Sequence, residues 1–366
     1  MKLIFFLIAF SLVSIRVYFS WAGKDRERKG ESESNMVIRS DNFYEEIKYS
    51  GKFQLTDDET GFKSISPGGY FKFRKNEVSI KAESNLQGLI EYRINDGSNN
   101  VPLDERGKKI LAEAIREMIV WGFDAENRME RVYRKGGAQA LLSEVDSMRS
   151  DHVRLLYLNR LFAIDSLIPQ GIPIVIIKAG ALGSDVDKVN FLTRITAHQL
   201  KDSLVDSAYF EVVKKISSDM DKANALQYLI EQDSLSAASA EKALALSGEI
   251  SSDVDKANLF GKMIEKGLIR GPLFDSLLYY ISAIGSDVDK VNLYEKLLTE
   301  NGVSDLQWAA LLNKSSLLES DMDKTNLLIS ISQKMPHTET LKENYRKAAK
   351  TIGNDSDYGR AVRAMD

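Results

Sequence analysis

The sequence contains no cysteine in 366 residues. That excludes disulfides, thiolate metal sites, a cysteine nucleophile and a lipid-modified cysteine anchor. Histidine is almost as scarce, with three copies, His152, His198 and His337, none at metal-ligand or triad spacing. There is no Gly-x-Ser-x-Gly, no phosphate-binding loop, no dinucleotide glycine pattern and no His-Glu-x-x-His. Positive charge is not concentrated either. The formal net charge is −4, and no basic cluster with interleaved aromatics gives a nucleic-acid footprint. Catalysis, cofactors and nucleic acid therefore find no support, and a non-enzymatic protein is expected.

What is present is ordinary for folded protein, 43% hydrophobic and 28% charged. The length is too great for one compact core and suits two or three units. The N-terminus reads as a targeting segment over residues 1–22. Met1 and Lys2 are followed by an apolar run, Leu3 to Ile15, then Arg16 and a small-x-small site at Ser20-Trp21-Ala22. The run is about 13 residues, short of the ~20 that span a bilayer. A signal peptide and export to the periplasm or cell envelope are expected; the alternative is a single-pass membrane anchor, since Val17 to Trp21 extend the run. The polar stretch that follows makes 23–42 a flexible tether.

Residues 43–121 read as a β-rich domain, and from Phe43 to Ile94 the apolar period is two. Phe53 and Leu55, Phe71 and Phe73, Val78, Ile80 and Ala82, then Ile90, Tyr92 and Ile94 alternate with polar residues. Turn residues separate the runs. The pattern predicts four or five short strands in an antiparallel sheet. A covering helix follows, capped by Asp104, with Ile110, Leu111, Ala114, Ile115 and Ile119 at helical spacing. The acidic turn Asp57-Asp58-Glu59 could hold a cation, and a metal-dependent enzyme or sensor is the alternative reading it supports.

The run Asp57-Asp58-Glu59-Thr60 through Lys63-Ser64-Ile65-Ser66-Pro67-Gly68-Gly69-Tyr70 resembles a module of bacterial envelope proteins. That module sits beside antirepressor-type membrane metallopeptidases and beside helical-repeat tails. The resemblance covers residues 43–150 and implies an envelope setting. It implies no catalytic residue, because the peptidase motif is missing.

Residues 122–366 are dominated by a repeat. Ser184-Asp185-Val186-Asp187-Lys188 recurs at Ser218, Ser252, Ser286 and Ser320, each copy starting 34 residues after the last. Asn190, Asn224, Asn258, Asn292 and Asn326 follow each lysine by two. Degenerate copies begin at Ser150 and Asn354. A fixed period of this size marks stacked helical repeats. Equivalent apolar positions recur with it: Leu192, Leu226, Phe260, Tyr294 and Leu328, then three residues later Ile195, Leu229, Met263, Leu297 and Ile331. The expected class is α+β, the sheet domain preceding a right-handed α-solenoid of helix pairs. It is similar to HEAT- or TPR-type arrays, and closer to HEAT because the TPR signature residues are absent.

Each motif has capping-box spacing, a serine at the N-cap and an aspartate at the third helical position. The expected caps are Ser184 with Asp187, Ser218 with Asp221, Ser252 with Asp255, Ser286 with Asp289, and Ser320 with Asp323. The lysine and asparagine read as contacts between repeats. A calcium site is disfavoured, since lysine follows directly and no glycine supplies a sharp turn. Aromatics on the second helices, Tyr209, Tyr279, Tyr280, Trp308 and Tyr345, are candidate anchors for a protein or peptide partner. The expected function is an exported scaffold or protein-binding protein. A structural membrane-tethered spacer is the further alternative.

Overall fold

The computed structural model describes residues 16–21, 33–40, 43–164, 171–232, 235–299 and 303–365. The expected leader lies outside them up to residue 15 and at residue 22, whereas its residues Arg16–Trp21 pair as a strand, which departs from the reading of 1–22 as a leader alone. Two compact units divide the chain, Met1–Leu161 and Phe162–Asp366.

The first unit is built on an antiparallel sheet. Its strands are β1 (Arg16–Trp21), β2 (Glu33–Ser40), β3 (Phe43–Ser50), β6 (Tyr70–Lys75), β7 (Val78–Ser84), β8 (Ile90–Asp96) and β9 (Asn99–Val101). Five of them, in the order β3-β6-β7-β8-β9, carry the described core, and β2 and β1 continue outward from β3. Thus part of the stretch read as a tether pairs as a strand. A separate hairpin, β4 (Phe53–Leu55) with β5 (Phe62–Ile65), interrupts between β3 and β6. Period-two alternation has its expected result. Register aligns Ile47, Phe73, Ile80, Ile94 and Val101 in one row across five strands, and all five are buried. Lys72, Arg74, Glu91 and Arg93 face solvent from the opposite side.

Helix α1 (Glu105–Val120) buries Leu111, Ala114, Ile115, Met118 and Ile119. Asp104 caps it by accepting from the Gly107 amide at 3.1 Å. A Cβ on Gly107 would fall 2.1 Å from the Pro102 carbonyl and 3.5 Å from Ile94, which shows how closely this helix approaches the sheet. Helices α2 (Ala125–Val145), broken at Gly136 and Gly137, and α3 (Asp151–Phe162) follow. Residues 122–161, expected to open the array, thus pack within the first unit, and one side chain explains why. Buried Arg128 on α2 donates to both oxygens of Glu59 at 3.0 Å, to Tyr157 of α3 at 3.0 Å and to Glu144 at 2.9 Å.

The second unit is a solenoid-like run of sequential helices packed in pairs. The first helices of the pairs are α5 (Asp185–Leu192), α7 (Asp219–Glu231), α9 (Asp253–Glu265), α11 (Asp287–Leu297), α13 (Asp321–Ser332) and the terminal α15 (Asp355–Arg363). Each packs on the next of this set. The others are α4 (Gly171–Ala179), α6 (Ser203–Lys214), α8 (Ala237–Gly248), α10 (Pro272–Ser282), α12 (Asp305–Ser315) and α14 (Glu339–Ala349), again each on the next. Two layers result. The recurrent apolar positions from Leu192 to Leu328 and from Ile195 to Ile331 lie between them, every one at most 1% exposed.

The motif joins the repeats. Each serine caps its helix, accepting from the amide of the motif's second aspartate at 3.2–3.3 Å. The reciprocal half of a capping box is not made by that aspartate, which corrects the expectation for Asp187, Asp221, Asp255, Asp289 and Asp323 alike. The amides before and at the N-cap go instead to the first aspartate of the preceding repeat. Asp185 Oδ2 accepts from Ser217 and Ser218, both at 2.9 Å. Asp219 does the same for Ser251 and Ser252, Asp287 for Glu319 and Ser320, and Asp321 for Gly353 and Asn354. Asp253 takes the Gly285 amide. In four of the five copies the other carboxylate oxygen pairs with the motif's own lysine, as in Lys188 to Asp185 at 2.7 Å and Lys290 to Asp287 at 3.0 Å; Asp219 and Lys222 form no such pair among the described residues. Lys188 also donates to the Lys215 carbonyl and Lys324 to the Thr351 carbonyl, at the C-terminal ends of α6 and α14, where the helix dipole favours a cation. A complete capping box does occur, on α12, between Ser304 and Gln307.

These bonds set the carboxyl acidities. Burial alone would raise Asp185 and Asp287, but the bonded lysines and amides outweigh it and hold both below the usual range. Lys256 and the Gly285 amide lower Asp253. A carboxyl depressed in the folded state stabilises fully above its unfolded value, about 3.9. That stability is lost as the pH falls through the lower folded value. Replacing Asp287 by alanine orphans two amides and one ammonium and is expected to cost about 1–3 kcal/mol. Urea unfolding at pH 7 checks the size. Repetition below pH 4 should find a smaller difference between variant and parent; a difference independent of pH contradicts the clamp.

Candidate functional site

The first-helix layer presents a regular outward surface. Three rows run along it at the 34-residue period. The variable motif position gives an apolar row, Val186, Met220, Val254, Val288 and Met322, each between 56% and 69% exposed. Four residues on, one helical turn along the same face, lie the exposed asparagines Asn190, Asn224, Asn258, Asn292 and Asn326. The half-exposed Asp187, Asp221, Asp255, Asp289 and Asp323 flank them three residues before. Sequence logic assigns the asparagines to contacts between repeats. The structure does not: the carboxamides of Asn190, Asn224, Asn258 and Asn292 bond to no other side chain or backbone group among the described residues. Asn326 alone is engaged, accepting from Arg360 of α15 at 3.0 Å. Across α9, α11 and α13 the surface hollows into a groove of about 660 Å³. Asn258, Asp289, Asn292 and Lys296 line it, with Lys296 held by Glu265 at 2.6 Å.

The aromatic candidates divide. Tyr209, Trp308 and Tyr345 are 0%, 5% and 1% exposed and cannot anchor a partner, which corrects the expectation for them. Tyr209 and Tyr345 have a shared interior role, donating at 2.8 Å to the carbonyls of Ala225 and Ala361. These carbonyls occupy equivalent places on α7 and α15. Burial raises the Tyr209 hydroxyl far above its ordinary value and Tyr345 to about 12. Tyr280 is half-buried, its ring filling the space where Gly248 lacks a side chain. Only Tyr279 is exposed, edge-on to Tyr280 with ring centres 5.5 Å apart. Spacing along a helix told these residues to share an element, but not which of them face the other layer.

In the first unit the acidic turn does not converge. Asp58 accepts from the Thr56 hydroxyl at 2.6 Å and the Thr60 amide at 3.2 Å, bonds that favour the carboxylate and hold its pKa below the usual range. Lys135 donates to the backbone carbonyl of Asp57 at 2.5 Å. Glu59 turns away to Arg128 and Arg131. A cation would find two exposed carboxylates and a third already balanced by guanidinium groups. Among the described residues no group of three metal-ligating side chains gathers. A groove of about 930 Å³ lies beside this turn, lined by Phe53, Asp57, Phe123, Asp124 and Arg131 among others. Its charges are mixed, and Asp124 binds Arg131 at 2.8 Å. The three histidines are exposed on separate elements.

The first aspartate of each motif is the functional residue that sequence reasoning passed over. Its signal was the period itself, since its partners stand 32 and 33 residues downstream. Compared with known proteins, the chain matches no family model and no curated protein.

Three substitutions separate interior from surface. Tyr209→Phe removes a buried hydrogen bond and is expected to cost about 1 kcal/mol. Tyr279→Ser, on an exposed ring, should stay within about 0.5 kcal/mol of the parent. Arg128→Ala strands Glu144, leaves Glu59 to Arg131 alone and should cost about 3 kcal/mol. Thermal unfolding of the three variants checks the order; equal effects at Tyr209 and Tyr279 would refute the division.

Proposed function

We propose that this chain is an exported, non-enzymatic protein that binds or scaffolds other proteins through its helical array. The observation that carries this reading is the outward surface of the first helices, where the carboxamides of Asn190, Asn224, Asn258 and Asn292 find no partner among the described residues. In a stacked array, residues that repeat without an internal duty are candidates for an external one. The arrangement is HEAT-like in kind, helix pairs without the TPR signature, and such arrays offer long surfaces rather than pockets. Export rests on the leader sequence, Met1 to Ala22, and the cell envelope is the compartment it implies. No helix among the described residues is long and apolar enough to cross a membrane. A tether would therefore use the leader, and N-terminal sequencing of the mature protein decides between cleavage and retention.

The test is a concentration series of the full-length tagged chain against an envelope extract. A partner is expected that saturates and is displaced by excess untagged chain. Failure to find any saturable partner would sink this reading.

A further inference from the structure

The repeat motif extends over seven positions, Ser-Asp-x-Asp-Lys-x-Asn, and the bonds within the chain account for only some of them. The serine caps, the first aspartate joins repeats, and lysine pairs with that aspartate. The second aspartate offers its amide to the cap, and its charge suits the helix N-terminus. Among the described residues no hydrogen bond accounts for the carboxamides of Asn190, Asn224, Asn258 and Asn292, and the Val or Met of each motif is exposed. A carboxamide carries both a donor and an acceptor, as does a peptide group. Four free copies stand in line along α5, α7, α9 and α11. An apolar row lies on one side and an acidic row on the other.

We infer that this surface binds an extended polypeptide, its backbone on the asparagines, its apolar side chains on the Val/Met row and its basic side chains toward the aspartates. The inference rests on the scaffold reading and gives it a ligand. Spacing narrows it further. Neighbouring packed helices stand about 8–10 Å apart, and one three-residue turn of polyproline II rises about 9 Å. One turn per repeat therefore brings an equivalent residue to each asparagine, which a strand with its two-residue period does not. The matching ligand has a three-residue period containing one apolar and one basic residue. Charge agrees: Asp187, Asp221, Asp255, Asp289 and Asp323 form no ion pair among the described residues, whereas the lysines beside them are paired or half-buried. The groove at Asn258 and Asn292 gives the chain a bed. At the C-terminal end the row closes, since Arg360 stands in the asparagine position and takes Asn326.

The probe is a labelled fifteen-residue peptide, five copies of Pro-Leu-Lys, titrated against the full-length protein by fluorescence anisotropy at physiological salt. Saturable one-to-one binding is expected. A peptide of the same composition in scrambled order should bind at least tenfold more weakly, and five copies of Pro-Leu-Glu should not bind. The triple variant Asn224→Ala, Asn258→Ala and Asn292→Ala should keep its melting temperature, because those carboxamides hold nothing in the chain, and lose at least tenfold in affinity. Equal binding of the scrambled peptide, or full binding by the triple variant, overturns the inference, as does no binding at all. A native partner that the triple variant still captures also overturns it while leaving the scaffold reading intact. Absence of any saturable partner removes both.

Discussion

Everything regular in the second unit depends on one carboxylate per repeat, the first aspartate of the motif. Its two oxygens do different work. One holds the lysine a helical turn away in four of the five copies, and the other receives one or both of the amides that open the next repeat. A helix start leaves several backbone amides without helical partners. Serine caps answer one of them from within the repeat. The amides at and before the cap are answered from the repeat before, so the helix start is complete only when its neighbour is in place. Local capping and inter-repeat stacking are thereby a single set of bonds. The lysine extends the set to the carbonyl end of the intervening helix in two of the copies.

This arrangement explains why the motif tolerates no insertion. A helix pair of different length would move the amides away from an oxygen that must reach them at about 3 Å. The apolar columns follow the same metric. Leu226, Phe260 and Tyr294 differ in size yet are all buried at one position, so the interior adjusts by side-chain choice while the polar connection stays constant. Directional bonds fix the spacing, and non-directional packing supplies most of the driving force. The second layer carries a looser link of its own, in which Asp206 on α6 accepts from Ser239 and Lys242 on α8.

Period, class and helix pairing were legible in the sequence because each leaves a mark at fixed intervals. The same holds for the sheet, where alternation from Phe71 to Ile94 foretold which face is buried. What stayed hidden was partnership over distance. Nothing near Glu59 announces Arg128, 69 residues on, so an acidic turn resembled a free cation site. Nothing near Ser218 says that its amide belongs to Asp185. The capping-box spacing was real, but spacing shows which groups can meet and not which of several acceptors wins. Tyr209 and Tyr345 failed as surface candidates for a related reason. A hydroxyl on a helix reads as amphipathic until the neighbouring carbonyl that receives it is located.

The candidate surface was half legible. Recurrence of the asparagine could be seen at once, but recurrence alone has two causes in a repeat protein: internal geometry that repeats, and an external ligand that does. Coordinates separate them by subtraction. Serine, first aspartate and lysine find partners inside the chain and belong to the first cause. Exposed valine or methionine contributes least to stability where it stands, and a carboxamide facing water gains little from being asparagine rather than lysine or glutamate. Such positions would drift freely if only the fold constrained them, yet within this one chain they hold the same residue type five times over. The terminal helix supplies the contrast. There the asparagine is replaced by Arg360, which reaches back to Asn326 and Asp357, and a side chain with internal partners stands where the open row ends.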